Sequence, residues 1–117
     1  MSKKVLVTGA SGFLGSHTAN ALSLAGYDVV LFDRVSSPYK LVNQRSIIGD
    51  VQAFEALKNA AQGCDYIYHF AGIADIEEAN ANPQQVCQSN ILGTINVLEV
   101  AKALKVERFV FASTVYV

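Results

Sequence analysis

Apolar stretches of strand length recur along the chain, with helically spaced segments between most of them. Residues 4–8, 29–32, 46–49, 66–71 and 108–113 read as five strands. Val29-Val30-Leu31-Phe32 is apolar throughout, the pattern of a strand buried on both faces of a parallel sheet. Residues 12–25 read as a helix with Leu14, Thr18, Ala21, Leu22 and Ala25 as its inward stripe, stopped by Gly26. Residues 51–62 read as a second helix. Asp50 is its expected cap, Val51, Phe54, Leu57 and Ala61 its buried face, and Gly63 its end.

Asn82-Pro83 starts a third helix, with Asn as cap and Pro at the first helical position; it runs to about Leu104. Val86, Asn90, Thr94, Val97, Ala101 and Leu104 share one stripe. Asn90 is thereby a polar group on a buried face and needs partners. Residues 35–45, around Ser36-Ser37-Pro38, read as a surface loop, and 73–81 as a loop with helical turns. The order is strand-helix-strand-strand-helix-strand-helix-strand. Short links between alternating elements imply right-handed crossovers. The expected fold is α/β: a doubly wound parallel sheet of about five strands, helices on both faces, in one domain over 1–117.

Composition fits that core. The 117 residues are 51% apolar and 16% charged, rich in core-formers and thin in surface charge. A net charge of −1 leaves no electrostatic footprint for nucleic acid or an anionic membrane. No apolar run reaches the roughly 18 residues of a membrane span, and Met-Ser-Lys-Lys leads into a strand rather than a signal-peptide core. Cys64 and Cys87 form neither a metal-type cluster nor a disulfide framework. They read as reduced, partly buried thiols of a cytoplasmic protein.

The chemistry gathers at the end of the first strand, in Val5-Leu6-Val7-Thr8-Gly9-Ala10-Ser11-Gly12-Phe13-Leu14-Gly15-Ser16. Gly9 suits the tight turn out of the strand. A side chain at Gly12 would block a close backbone approach to a diphosphate. Gly15, one turn into the helix, lets helix and strand pack closely. The helix start then offers unpaired N–H groups and a positive dipole end. The spacing is Thr-Gly-x-x-Gly-x-x-Gly rather than the common Gly-x-Gly-x-x-Gly, and three glycines alone are a weak signal. Context strengthens it: a strand before, a helix after, and Asp33 closing the second strand where a ribose-binding acid is expected, about 20 residues on. This reads as a dinucleotide-binding turn.

Thr8-Gly9-Ala10-Ser11-Gly12-Phe13-Leu14-Gly15-Ser16-His17 resembles the opening of the extended short-chain dehydrogenases/reductases, above all the NAD-dependent epimerases and dehydratases of nucleotide sugars. Further landmarks follow in family order: Asp33, Gly49-Asp50-Val51, His69-Phe70-Ala71-Gly72, the run from Asn90 to Glu99, and the run from Arg108 to Thr114. The resemblance covers the whole chain and implies a Rossmann-type fold that binds NAD. Its cofactor contacts would be Gly9, Ser11, Gly12, Phe13, Leu14 and Gly15 in the turn and helix start. Asp33 would accept the adenosine ribose hydroxyls and repel a 2′-phosphate, which favours NAD over NADP; Arg34 beside it works the other way. Asp50 and Val51 would flank the adenine, while Phe70, Ala71 and Gly72 would border the nicotinamide-side ribose. Asn90 would tie its helix to the neighbouring strand. His17 and His69 read as core or packing histidines, because neither has an acid or nucleophile at motif spacing.

The family's machinery is a Ser/Thr and a Tyr-x-x-x-Lys. Two registers are open for the Ser/Thr, which falls on Ala112 or on Thr114; counting from Arg108-Phe109-Val110 favours Thr114, and Tyr116 is then not the catalytic Tyr. No Tyr-x-x-x-Lys occurs in the chain. The expectation is therefore an N-terminal piece of a protein roughly two to three times longer, able to bind NAD but without turnover, and prone to self-association through an apolar fifth-strand edge. The parent is expected to be a homo-oligomer acting on a nucleotide sugar or a similar alcohol. The alternatives are a reductase or hydroxysteroid-type dehydrogenase of the same superfamily, a non-catalytic dinucleotide sensor, or a fragment that folds poorly and binds nothing.

Overall fold

The computed structural model describes residues 2–73 and 76–113. Five strands, β1 (Lys4–Thr8), β2 (Asp28–Asp33), β3 (Arg45–Ile48), β4 (Tyr66–His69) and β5 (Arg108–Phe111), form one sheet in the order β3-β2-β1-β4-β5. Every pairing is parallel. The helices are α1 (Phe13–Leu24), α2 (Phe54–Ala61), α3 (Ile76–Ala81), α4 (Pro83–Val86) and α5 (Gly93–Ala103), with a π-helical turn at Cys87–Leu92 joining the last two. The doubly wound parallel sheet expected from the alternation is present.

Side chains of the inner strands alternate between two cores. Val5, Val7, Val29 and Leu31 point to the α1 face, where they meet Ala10 and Ala19. Leu6, Val30, Phe32 and Ile67 point to the other face, against Leu57 and Ala61 of α2 and Val97, Val100 and Ala101 of α5. The chain runs outward from β1 to β3, then returns past β1 to continue as β4 and β5. The direction changes between β1 and β4, so the loops leaving those two strands part and open a crevice at their carboxyl ends.

Three helical expectations need correction. The buried side of α1 is Gly15, Ser16, Ala19 and Ser23, with Leu22 half-buried. Leu14, placed on the inward stripe, is 50% exposed, and Ala21 and Ala25 are exposed too. The helix lies so close to the β1 turn that only small residues fit; a Cβ on Gly15 would collide with the Gly9 carbonyl. Ser23 is satisfied by buried Gln44, whose Nε2 donates to Ser23 Oγ at 2.8 Å and to Asn20 Oδ1 at 2.9 Å.

Asp50 does not cap α2. Its Oδ1 accepts the Gln52 N–H at 2.9 Å and its carbonyl accepts the Ala53 N–H at 2.9 Å, a tight turn that delays the helix to Phe54 and leaves Ala53 as N-cap. Val51, Leu57 and Ala61 are buried as expected. The long third helix does start at Pro83, but Asn82 makes no side-chain cap bond and the π-helical turn interrupts the run. Its stripe survives: Val97 and Ala101 are buried, and Val86, Asn90, Thr94 and Leu104 are half-buried.

His69 is buried, whereas His17 is a surface residue packed edge-on against Phe13 at 4.7 Å between ring centroids. Both cysteines are free; Cys64 is buried but Cys87 is exposed, contrary to expectation. The end of α1 is closed by Gly26 at φ +98°, with N–H bonds from Gly26 to the Ser23 carbonyl and from Tyr27 to the Leu22 carbonyl, both 3.1 Å. The end of α5 is closed the same way, yet the left-handed position is Lys105, at φ +54°. Among the described residues, no helix is long and apolar enough to cross a membrane.

Candidate functional site

The crevice at the carboxyl ends of β1 and β4 holds the glycine turn. Gly9 has φ +67°, and its N–H donates to the Phe32 carbonyl at 3.0 Å, which fixes the turn to the end of β2. A Cβ on Gly9 would sit 2.6 Å from the Ala71 nitrogen, so glycine is also what lets the β4 loop close in. Gly12 differs. The nearest atom to a Cβ there is the Gly9 carbonyl oxygen at 3.5 Å, ordinary contact. Nothing in the fold demands glycine at 12; the space it keeps open faces the crevice.

The start of α1 is left electrostatically bare. Gly12 is its N-cap, with no capping side chain, and the first turn holds no acid. The first N–H groups of a helix have no partner inside it, so those of Phe13 and Leu14 and the positive dipole end are presented to the crevice. Asp33 supplies the opposite charge at the end of β2. Its Oδ2 accepts the Ser11 N–H at 2.9 Å and its Oδ1 the Val35 N–H at 3.4 Å. A carboxylate has about four acceptor positions, so further donors can be received. Arg34 is exposed beside it.

Two recesses flank the turn. The first holds about 150 Å³ and is lined by Gly9, Gly12, Asp33, Arg34, Asp50, Val51 and Phe70 to Ile73, together with Phe32, Gly49 and Ser89. The second, about 520 Å³, is lined by Gly9, Gly12 to Gly15, His69 to Ile73, Asn90, Thr94 and Phe111 to Ser113. Of the residues singled out in the sequence, Ser11 lines neither recess and instead holds Asp33. Thr114 lies outside the described residues.

Several residues that build this cleft carried no assignment in the sequence. Thr8 Oγ1 accepts the N–H groups of Phe70 and Ala71, each at 3.1 Å, which draws the β4 loop onto the glycine turn. Asn96 Nδ2 donates to the carbonyls of Val51 at 2.9 Å and Gln52 at 3.2 Å, bracing the wall after β3. Ile73 is held by Asn90. The position of Thr8 directly before Gly9 was a usable signal; Asn96, one of several polar residues on a long helix, offered none.

A parallel sheet in this order, with a glycine turn after β1 and an acid closing β2, is a Rossmann-type domain. The family model described as "NAD dependent epimerase/dehydratase family" matches residues 5–117. The chain belongs to that family. It is 39% identical over 126 residues to the UDP-glucose 4-epimerase uge1 of Schizosaccharomyces pombe, which covers 96% of this chain and 36% of that protein. It is 33% identical over 116 residues to a 3-beta-hydroxysteroid dehydrogenase of Mycolicibacterium neoaurum, covering 95% of this chain and 32% of that protein. The crystal structure of a Bifidobacterium longum UDP-glucose 4-epimerase in complex with NAD+ and UDP aligns with a TM-score of 0.86 at 30% identity, over 97% of this chain and 37% of that one. The chain thus spans about a third of the length of the relatives it matches.

Proposed function

We propose that this chain is the NAD-binding portion of a nucleotide-sugar epimerase or dehydratase. The observation that carries it is the uncapped, acid-free helix start at Gly12, opening on a crevice with Asp33 on its rim. A diphosphate fits there: the glycine keeps the approach open and the free N–H groups point at it. Asp33 takes the adenosine ribose hydroxyls, Asp50 and Val51 flank the adenine, and Phe70, Ala71 and Gly72 border the nicotinamide-side ribose. NAD supplies hydride acceptance and return; the protein supplies its orientation. Thr114 is assigned to orient the reacting oxygen of the substrate. The relatives named as UDP-glucose 4-epimerases support a nucleotide-sugar substrate.

NAD is preferred to NADP, because the Asp33 carboxylate repels a 2′-phosphate and its held position leaves little freedom to turn away. The test is a titration with NAD and NADP, followed by calorimetry and thermal shift, beside Asp33→Ala. NAD should stabilise the chain, NADP should do so less, and Asp33→Ala should erase the difference. A folded chain whose melt neither nucleotide moves would sink the reading. No turnover is expected from this chain alone, since it contains no Tyr-x-x-x-Lys. Self-association through β5 belongs to the same proposal: among the described residues β5 pairs only with β4, and Phe111 is 55% exposed. Light scattering should give a mass that rises with concentration.

A dehydrogenase of hydroxysteroid-type alcohols is the second reading, favoured by the Mycolicibacterium neoaurum relative. In the longer protein, UDP protecting against thermal unfolding in the presence of NAD would favour the first reading.

A further inference from the structure

His69 lies under the second recess, 1% exposed, with its ring packed on Phe111 at 5.9 Å and Phe109 at 6.2 Å between centroids. Both ring nitrogens are engaged. Nδ1 is 2.6 Å from Thr8 Oγ1, and Nε2 is 2.9 Å from Thr94 Oγ1. The protons can be placed by elimination. A hydroxyl has one hydrogen and two lone pairs. Thr8 Oγ1 accepts the Ala71 N–H and shares the Phe70 N–H with its own backbone carbonyl, each contact 3.1 Å, so what it has left for His69 is its hydrogen, and Nδ1 is the acceptor. Thr94 Oγ1 lies 2.6 Å from the Asn90 carbonyl oxygen, to which it can only donate. It therefore accepts from His69, and Nε2 carries the hydrogen.

The result is a one-way chain of donors. It runs from the Phe70 and Ala71 amides through Thr8, His69 and Thr94 to the Asn90 carbonyl. Bonds aligned in this sense polarise one another. The chain links both ends of the β4 loop: Thr8 grips Phe70 and Ala71, and Asn90 grips Ile73. We propose that His69, as the neutral Nε2–H tautomer, is a positioning residue for the nicotinamide side of the cleft. It sets the Phe70–Gly72 wall by coupling the Gly9 turn to the π-helical turn. This rests on the cofactor reading given above. An imidazole suits the post because it presents one donor and one acceptor in opposed directions on a rigid ring. Burial pushes its pKa down to about 4, which keeps it neutral. The groups facing it are Thr8 from β1, Thr94 from α5, and Phe109 and Phe111 from β5; none of them is charged.

The test compares NAD with ADP, which lacks the nicotinamide half, on the wild-type chain, Thr8→Val and Thr8→Ser. Thr8→Val keeps the side-chain shape and breaks the relay; Thr8→Ser keeps the hydroxyl. Thr8→Val should weaken NAD at least about ten-fold and ADP less than about two-fold. Thr8→Ser should restore NAD binding. A Thr8→Val loss shared equally by both nucleotides, or no loss, overturns the relay and leaves the cofactor reading standing. Failure of the wild type to bind either nucleotide overturns both. Should Thr8→Val not fold, imidazole ¹⁵N shifts of the wild type decide. His69 should be the Nε2–H tautomer, shifted by NAD and not by ADP; an Nδ1–H tautomer, or equal shifts, overturns the proposal.

Discussion

Asn90 holds Ile73 by both of its backbone groups: Oδ1 accepts the Ile73 N–H at 2.7 Å, and Nδ2 donates to the Ile73 carbonyl at 2.9 Å. A carboxamide here does what a neighbouring strand would do, satisfying a loop that has left the sheet. Asn90→Asp should therefore be costly despite its near-identical shape. It sets a carboxylate oxygen against the Ile73 carbonyl. A loss of about 2 kcal/mol is expected in urea unfolding at neutral pH. An unchanged midpoint would mean that the loop does not depend on the clamp.

Two glycines of the turn, Gly12 and Gly15, should separate stability from binding. Gly15→Ala drives a Cβ into the Gly9 carbonyl and should cost at least about 2 kcal/mol. Gly12→Ala meets only the Gly9 oxygen at 3.5 Å, so it should leave the melt within about 1 kcal/mol of wild type. If the crevice takes NAD as proposed, Gly12→Ala should nevertheless weaken it at least about ten-fold, because the methyl group would stand in the diphosphate approach. Thermal melts and calorimetry on both variants check this; normal NAD affinity in Gly12→Ala would move the diphosphate elsewhere.

His69 gives stability a pH dependence of known sign. Burial lowers its pKa from 6.5 to about 4, so between those values the unfolded chain binds the proton and the folded chain does not. Stability from this residue is complete above pH 6.5 and is lost as pH falls towards 4, at up to ~1.4 kcal/mol per pH unit. His69→Gln should lose that slope. Urea midpoints at several pH values compare the two, and parallel curves would show that the imidazole is not neutral in the fold.

Lys105→Gly should stabilise the chain. A lysine at φ +54° bears a left-handed penalty that glycine avoids. Part of the gain is returned through the greater freedom of an unfolded glycine, leaving about 0.5–1 kcal/mol. A lowered melting temperature would contradict the conformational account.

The two thiols should react at very different rates. Burial pushes Cys64 up to about 11, so it presents almost no thiolate at pH 8, while Cys87 stands exposed on the surface. A disulfide reagent should find one thiol in the native chain and a second only after denaturation. Two fast equivalents would mean that the core beside Cys64 opens readily.

Much of the architecture could be read from apolar runs, because strands buried on both faces leave an uninterrupted signal. β1 falls on Lys4–Thr8 as expected, and the acid and glycines land around one crevice. What escaped was set by distance of approach rather than hydrophobicity. Gly15, Ala19 and Ser23 face the sheet because α1 lies close to it, and a count of apolar residues chooses Leu14 instead. The delayed start of α2 arises from Asp50 bonding two residues ahead instead of capping. The His69 relay joins Thr8, His69 and Thr94, and no local pattern announces partners that far apart.

The central place of β1 also has a consequence for synthesis. Thr8 meets His69 across 61 positions of chain. At translation speeds of about 5–20 residues per second, Val5-Leu6-Val7 leaves the ribosome about 3–12 s before its β4 partner exists. Through that interval one side of a strand whose Val5, Leu6 and Val7 are fully buried in the finished fold has no neighbour to pair with. Val5-Leu6-Val7 is therefore an apolar segment of the nascent chain with one edge open until β4 claims it, and the crevice between β1 and β4 cannot form before then.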